Sequence, residues 1–130
     1  MTSDEYMKAA LVSWSKDEHF ITHGPGGDSQ LLTYLVHALM GMQTESAEFT
    51  DMIKKCLIYG KPIDEVNLLE ELGDIAWYMN LALNKLGYTW VDMFDRNIAK
   101  LKVRFPDKFT PEKALTRDLE AERKALEDDK

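Results

Sequence analysis

SQLLTYLVHALMGMQTESAEFTDMIKKCLIYG, residues 29–60, decides the fold. Leu32, Leu35, Leu39, Met42, Phe49, Ile53 and Cys56 recur in it at steps of three and four, with Ser46 in the one polar place. That alternation traces one side of an α-helix. The sustained period-two alternation that a half-buried strand needs is missing here and in the rest of the chain. Upstream, Gly24-Pro25-Gly26-Gly27 breaks the chain, and Asp28 or Ser29 offers a side-chain oxygen to cap the helix. Downstream, Tyr59-Gly60-Lys61-Pro62 ends it.

The same reading extends in both directions. Asp64 caps a third helix with a stripe of Leu68, Leu72, Ile75, Met79, Ala82 and Leu86, and Gly87 terminates it. This helix and the one before it are expected to pack antiparallel. A fourth helix runs from Thr89 with Phe94, Ile98, Leu101 and Phe105 inward, and stops at Pro106. Thr110-Pro111-Glu112 opens a fifth, cap followed by proline at the first helical position. Its Arg117 to Arg123 stretch is dense in charge, which predicts a place outside the core or on another subunit. Before the glycine-rich break, a helix starting after Ser3 presents Met7, Leu11 and Trp14 along one side and fades before His23. The expectation is an all-α antiparallel bundle of four to five helices. It forms one domain over residues 1–130, with a core at 30–106 and a peripheral C-terminal helix at 111–128.

Composition fits that class and excludes others. In 130 residues, 45% hydrophobic and 30% charged, there is enough apolar material for one core and no signature of disorder. A formal net charge of -7 leaves no broad basic footprint for nucleic acid or an anionic membrane surface. An anionic ligand would therefore need metal. No apolar run approaches the ~20 residues that span a bilayer, and Asp4 and Glu5 stand where a secretory leader carries basic residues. A cytoplasmic location is expected. The lone Cys56 falls within an apolar helical pattern and reads as a buried thiol.

Two acidic pairs interrupt this pattern. Glu45 and Glu48 are three apart on the second helix, in the line Ala38, Gly41, Glu45, Glu48, Met52, which is distinct from the main apolar stripe. Glu71 and Asp74 repeat the spacing on the third helix, and Tyr78 follows one turn later. Antiparallel packing turns both pairs toward one cleft. Four carboxylates there cannot stay ionised together without cations, because each raises the proton affinity of the others. Hard oxygen donors suit magnesium, with manganese as a substitute. A single ExxE on a helix is ordinarily a solvated face; two pairs set in long apolar helices argue for a site.

Glu45-Ser46-Ala47-Glu48 followed by Glu71-Leu72-Gly73-Asp74 resembles the ExxE and ExxD signature of MazG-like all-α nucleoside triphosphate pyrophosphohydrolases. Leu39-Met40-Gly41, Lys54-Lys55, Ile75-Ala76-Trp77-Tyr78 and Asn97 to Pro106 also look like that family, and the charged ending is similar to small phage-type members. The resemblance runs from Gln30 to Arg123. It implies cleavage of a nucleoside triphosphate, often a deoxynucleotide, to monophosphate and pyrophosphate by a homodimer or homotetramer. It also implies Glu45, Glu48, Glu71 and Asp74 as metal ligands, with Glu45 the choice for general base. Thr44 stands where many relatives carry a further acid, which leaves open the number of ions and the acid that activates water.

Further substrate contacts are expected around this cluster. Asn97, Lys100 and Arg104 share one side of the fourth helix and are candidates to cradle phosphates. Lys55 follows the first pair, Tyr78 can stack on a base, and His37 lies near the ligand line. Exposed cations, a packed tyrosine and a hydrogen-bonded histidine are the plainer readings of these residues. Residues 24–27 lack the Gly-Lys-Ser/Thr ending of a P-loop and are read at most as a lid over the ligand. With no His-Asp dyad among His19, His23 and His37 and no Glu-x-x-His pair, the His-Asp type of metal phosphohydrolase and the carboxylate di-iron bundle are disfavoured. The competing functions are a helical regulatory module that binds nucleotide or metal without turnover, and a hydrolase acting on dUDP or on alarmones.

Overall fold

The structure, a computed structural model, describes residues 2–12 and 29–127. Its elements are six helices: α1 (Ser3–Val12), α2 (Ser29–Tyr59), α3 (Glu65–Leu86), α4 (Trp90–Arg104), α5 (Pro111–Leu115) and α6 (Leu119–Glu127). No strand occurs among the described residues, as the periodicity requires. Trp14, the expected fading before His23, the Gly24–Gly27 loop and the Asp28 cap lie outside the described residues.

Local chemistry sets the helix ends. Asp64 caps α3 by accepting from the Asn67 backbone N–H at 3.1 Å. Gly87 closes it at φ +77°, a left-handed conformation open to glycine without steric penalty. Thr89 and Asp92 form a reciprocal capping box on α4. Thr110 caps α5 ahead of Pro111. The expected continuous fifth helix is instead two, α5 and α6, divided at Thr116–Asp118.

α2 and α3 run antiparallel and form the main packed pair. Tyr34 lies under the Lys85 ammonium (3.9 Å), His37 and Gly41 meet Tyr78, and Lys55 shares a cavity with Asn67. Ala38 is fully buried between them. Across the turn, Cys56 Sγ donates to the Pro62 carbonyl at 3.6 Å and the Lys61 N–H to the Lys55 carbonyl at 3.3 Å. The second packed pair is α4 with α6. Glu122 of α6, 3% exposed, accepts from Arg104 at 2.9 and 2.7 Å and from Arg117 at 3.3 and 2.6 Å. The Trp90 indole N–H donates to Asn80 Oδ1 at 3.0 Å, joining α4 to α3.

The apolar stripes are less covered than their pattern suggests. Leu39 and Leu72 are each 51% exposed, and Phe94 and Ile98 are exposed as well. A stripe spanning more than ~100° of a helix is wider than one neighbour can cover, and each long helix has one principal partner within this chain. No described helix is long and apolar enough to cross a membrane.

Candidate metal centre

The antiparallel pairing brings one acid of α2 against two of α3. Carboxylate oxygens of Glu45, Glu71 and Asp74 all lie within 4.8 Å of one another. Glu71 is buried, Glu45 half-buried and Asp74 exposed, so the group opens to solvent on one side. Glu45 has its pKa raised, first by partial burial and then by the negative fields of Glu48, Asp74 and Glu71 and a hydrogen bond with Glu71. Glu48 stands one turn along α2 and lines a cavity of about 440 Å³ with Glu71, Asp51, Met52, Lys55 and Asn67. Exposed acidic clusters are common without an ion. Here the donors come from two helices, one is buried, and all are hard oxygens, so the set fits magnesium or manganese.

Two neighbours of the acids carry weight that spacing alone did not reveal. Asp51 continues the three-residue spacing beyond Glu45 and Glu48, yet Lys54 (3.1 Å) and Lys55 (2.7 Å) both engage it. Those lysines, hydrogen-bonded to the carboxylate, hold its pKa below the ordinary value, and the Lys55 pKa is raised in return. Asn67, four residues before Glu71, donates from Nδ2 to Glu71 Oε1 at 3.0 Å. The signals were present as an i+3 acid and an i−4 amide, but which partner each takes depends on three-dimensional packing.

On the other side of the acids lies an aromatic cluster. Tyr78, one turn past Asp74, meets Trp77 edge-on at 5.0 Å and His37 at 5.9 Å. Its ring lies directly over Gly41, where a Cβ would overlap three ring atoms. The cleft therefore has a direction, with lysines and an amide at one end, acids in the middle and aromatics at the other.

The α4 candidates do not join this cleft. Asn97 lines a separate cavity of about 490 Å³ with Met79, Leu83, Met93, Phe94 and Leu126. At ~100° per residue, Met79 begins a face of α3 well round from the Asp74–Tyr78 line. Lys100 follows Asn97 by one turn and is half-buried. Arg104 commits Nε and Nη2 to Glu122.

A family model described as the MazG nucleotide pyrophosphohydrolase domain matches residues 31–109, which include α3, α4, nearly all of α2 and both acidic pairs. No curated protein and no solved structure matches the chain significantly.

Proposed function

The chain belongs to the MazG nucleotide pyrophosphohydrolase family, and on that premise we propose that it converts (deoxy)nucleoside triphosphates to monophosphates and pyrophosphate. Glu45, Glu48, Glu71 and Asp74 hold magnesium in this reading, and manganese substitutes for it. The observation that carries it is the meeting of Glu45, Glu71 and Asp74 oxygens within 4.8 Å across two helices, a density of negative charge that calls for cations. Magnesium held there would neutralise the triphosphate and act as a Lewis acid toward the α-phosphoryl oxygen.

The residues supply the rest. Glu45, one of the three acids that meet across the two helices, accepts a proton from water in this reading. The water oxygen bonds to the α-phosphorus as the bond from that phosphorus to the α,β-bridging oxygen breaks. Pyrophosphate leaves with the bridging oxygen, and the proton taken up by Glu45 returns to solvent. The direction of the cleft orients the substrate, with the β- and γ-phosphates toward Lys55 and the base against Tyr78 and His37. Asn97 and Lys100 serve phosphate or sugar contacts through a second copy of the chain. Arg104 joins them there only by giving up its bonds to Glu122. Uncovered apolar residues such as Leu39, Leu72, Phe94 and Ile98 support a homodimer or homotetramer. The acidic charge balance favours a nucleotide of the cytoplasmic pool over nucleic acid or membrane as partner.

A panel of nucleoside and deoxynucleoside triphosphates with magnesium, resolved by product, tests the reading. Monophosphate and pyrophosphate are expected, with loss of roughly 100-fold or more for Glu45→Gln. Orthophosphate as product would point instead to diphosphate or alarmone chemistry. Binding without any product would make the chain a regulatory nucleotide-binding module.

A further inference from the structure

Glu71 is the buried member of the acidic trio, 7% exposed, and a carboxylate removed from water needs a donor. Its donor is neutral. The Asn67 amide reaches Glu71 Oε1 at 3.0 Å, whereas Asp51, bordering the same cavity, is held by two ammonium groups at 3.1 and 2.7 Å. The difference is chemical. A lysine partner supplies the counter-charge that a metal ion would otherwise provide, whereas an amide fixes the plane of the carboxylate and leaves its full negative charge available.

Asn67 is itself held in place. Its backbone N–H donates to Asp64 Oδ1 at 3.1 Å, its side chain is half-buried in the first turn of α3, and it lines the cavity shared with Glu48 and Lys55. We propose that Asn67 is a positioning residue for the metal centre: its amide holds Glu71 in the orientation that meets Glu45 and Asp74, without neutralising it. The inference rests on the metal-binding reading above. The plainer alternative is an i,i+4 pair that steadies the helix slightly and does nothing else.

Titration of the full chain with manganese alone, followed by calorimetry, separates the two, with thermal melting of the metal-free protein alongside. Asn67→Ala and Asn67→Leu, which remove the donor in two shapes, are expected to weaken manganese binding roughly 10–100-fold. Asn67→Gln keeps a neutral donor at the same helical spacing and is expected to recover most of that loss. Asp64→Ala removes the bond that holds the Asn67 backbone and keeps the amide, so it lowers the melting temperature and weakens manganese binding less than Asn67→Ala does. Parental affinity in both Asn67→Ala and Asn67→Leu, with binding abolished by Glu71→Gln, would overturn the positioning role and leave the metal reading standing. A parent chain that binds no manganese, or a Glu71→Gln variant that binds it as the parent does, would overturn both.

Discussion

Replacing Gly41 by alanine sets two opposed effects against each other at a position where the larger can be named. In a helix interior alanine is favoured over glycine by ~1 kcal/mol. The added methyl would overlap Cδ1, Cε1 and Cζ of Tyr78, and that ring is flanked by His37 and Trp77, so it has little room to turn. Overpacking of this kind costs ~1–3 kcal/mol, and three ring atoms met together argue for about 3. The net expectation is ~2 kcal/mol of destabilisation for Gly41→Ala in the parent chain. In a Tyr78→Ala background the obstruction is gone and only the helical preference acts, so the same substitution stabilises by ~1 kcal/mol. The sign reversal amounts to a coupling of about 3 kcal/mol, at the upper end for residues in contact. Urea denaturation of the four proteins at one concentration, read as midpoints at unchanged slope, measures it. Gly41→Ala that stabilises both backgrounds, or destabilises both equally, would refute the close approach of α2 to the Tyr78 ring.

Other perturbations read the electrostatics. Glu122 is held down to about 2 by Arg104 and then Arg117, so its contribution to stability is present above the ordinary value of 4.5 and is lost as pH falls from there toward 2; amide exchange in α6 is expected to rise across that window, and Glu122→Gln to loosen α6 already at neutral pH. Asp51→Asn releases Lys54 and Lys55, and the KM for triphosphate is expected to fall by about 2–5-fold at low salt and not at high salt. In the metal-free protein the Glu45 carboxyl is expected to titrate above 4.5 by carbon-13 NMR, and Glu48→Gln to bring it down. Because that folded value is raised, its contribution to stability is full below the unfolded value and lost as pH rises through the folded one; magnesium is therefore expected to raise the melting temperature at neutral pH.

Elements whose causes are local were legible from sequence. Asp64, Gly87, Thr89 and Thr110-Pro111 mark helix ends because cap chemistry acts within three residues, and the three-residue spacing puts Glu71 and Asp74 on one side of α3. What was not legible depends on partners distant in sequence. Arg104 ends α4 and Glu122 lies on α6, 18 residues apart, and nothing nearby in the sequence indicates that they meet. Asp51 extends the ExxE spacing, yet Lys54 and Lys55 both engage it. Leu39 and Leu72 belong to apolar stripes, but periodicity reports which side of a helix is apolar and not whether the same chain covers it. The break between α5 and α6 carries no proline or glycine to announce it.

Glu45 and Asp74 sit near the middles of the two long helices of a hairpin whose connection spans 60–64. Their separation is therefore gauged by side-chain fit, chiefly the seat of one aromatic ring on a bare backbone, and the length of the loop has little say in it. A slip of α3 by one residue would rotate each of its carboxylates ~100° out of the cleft. Residues inserted between Gly60 and Ile63 would only enlarge an external bend. The connection is in this sense free to drift in length, whereas the bare position beside the ring cannot drift without moving the centre it measures.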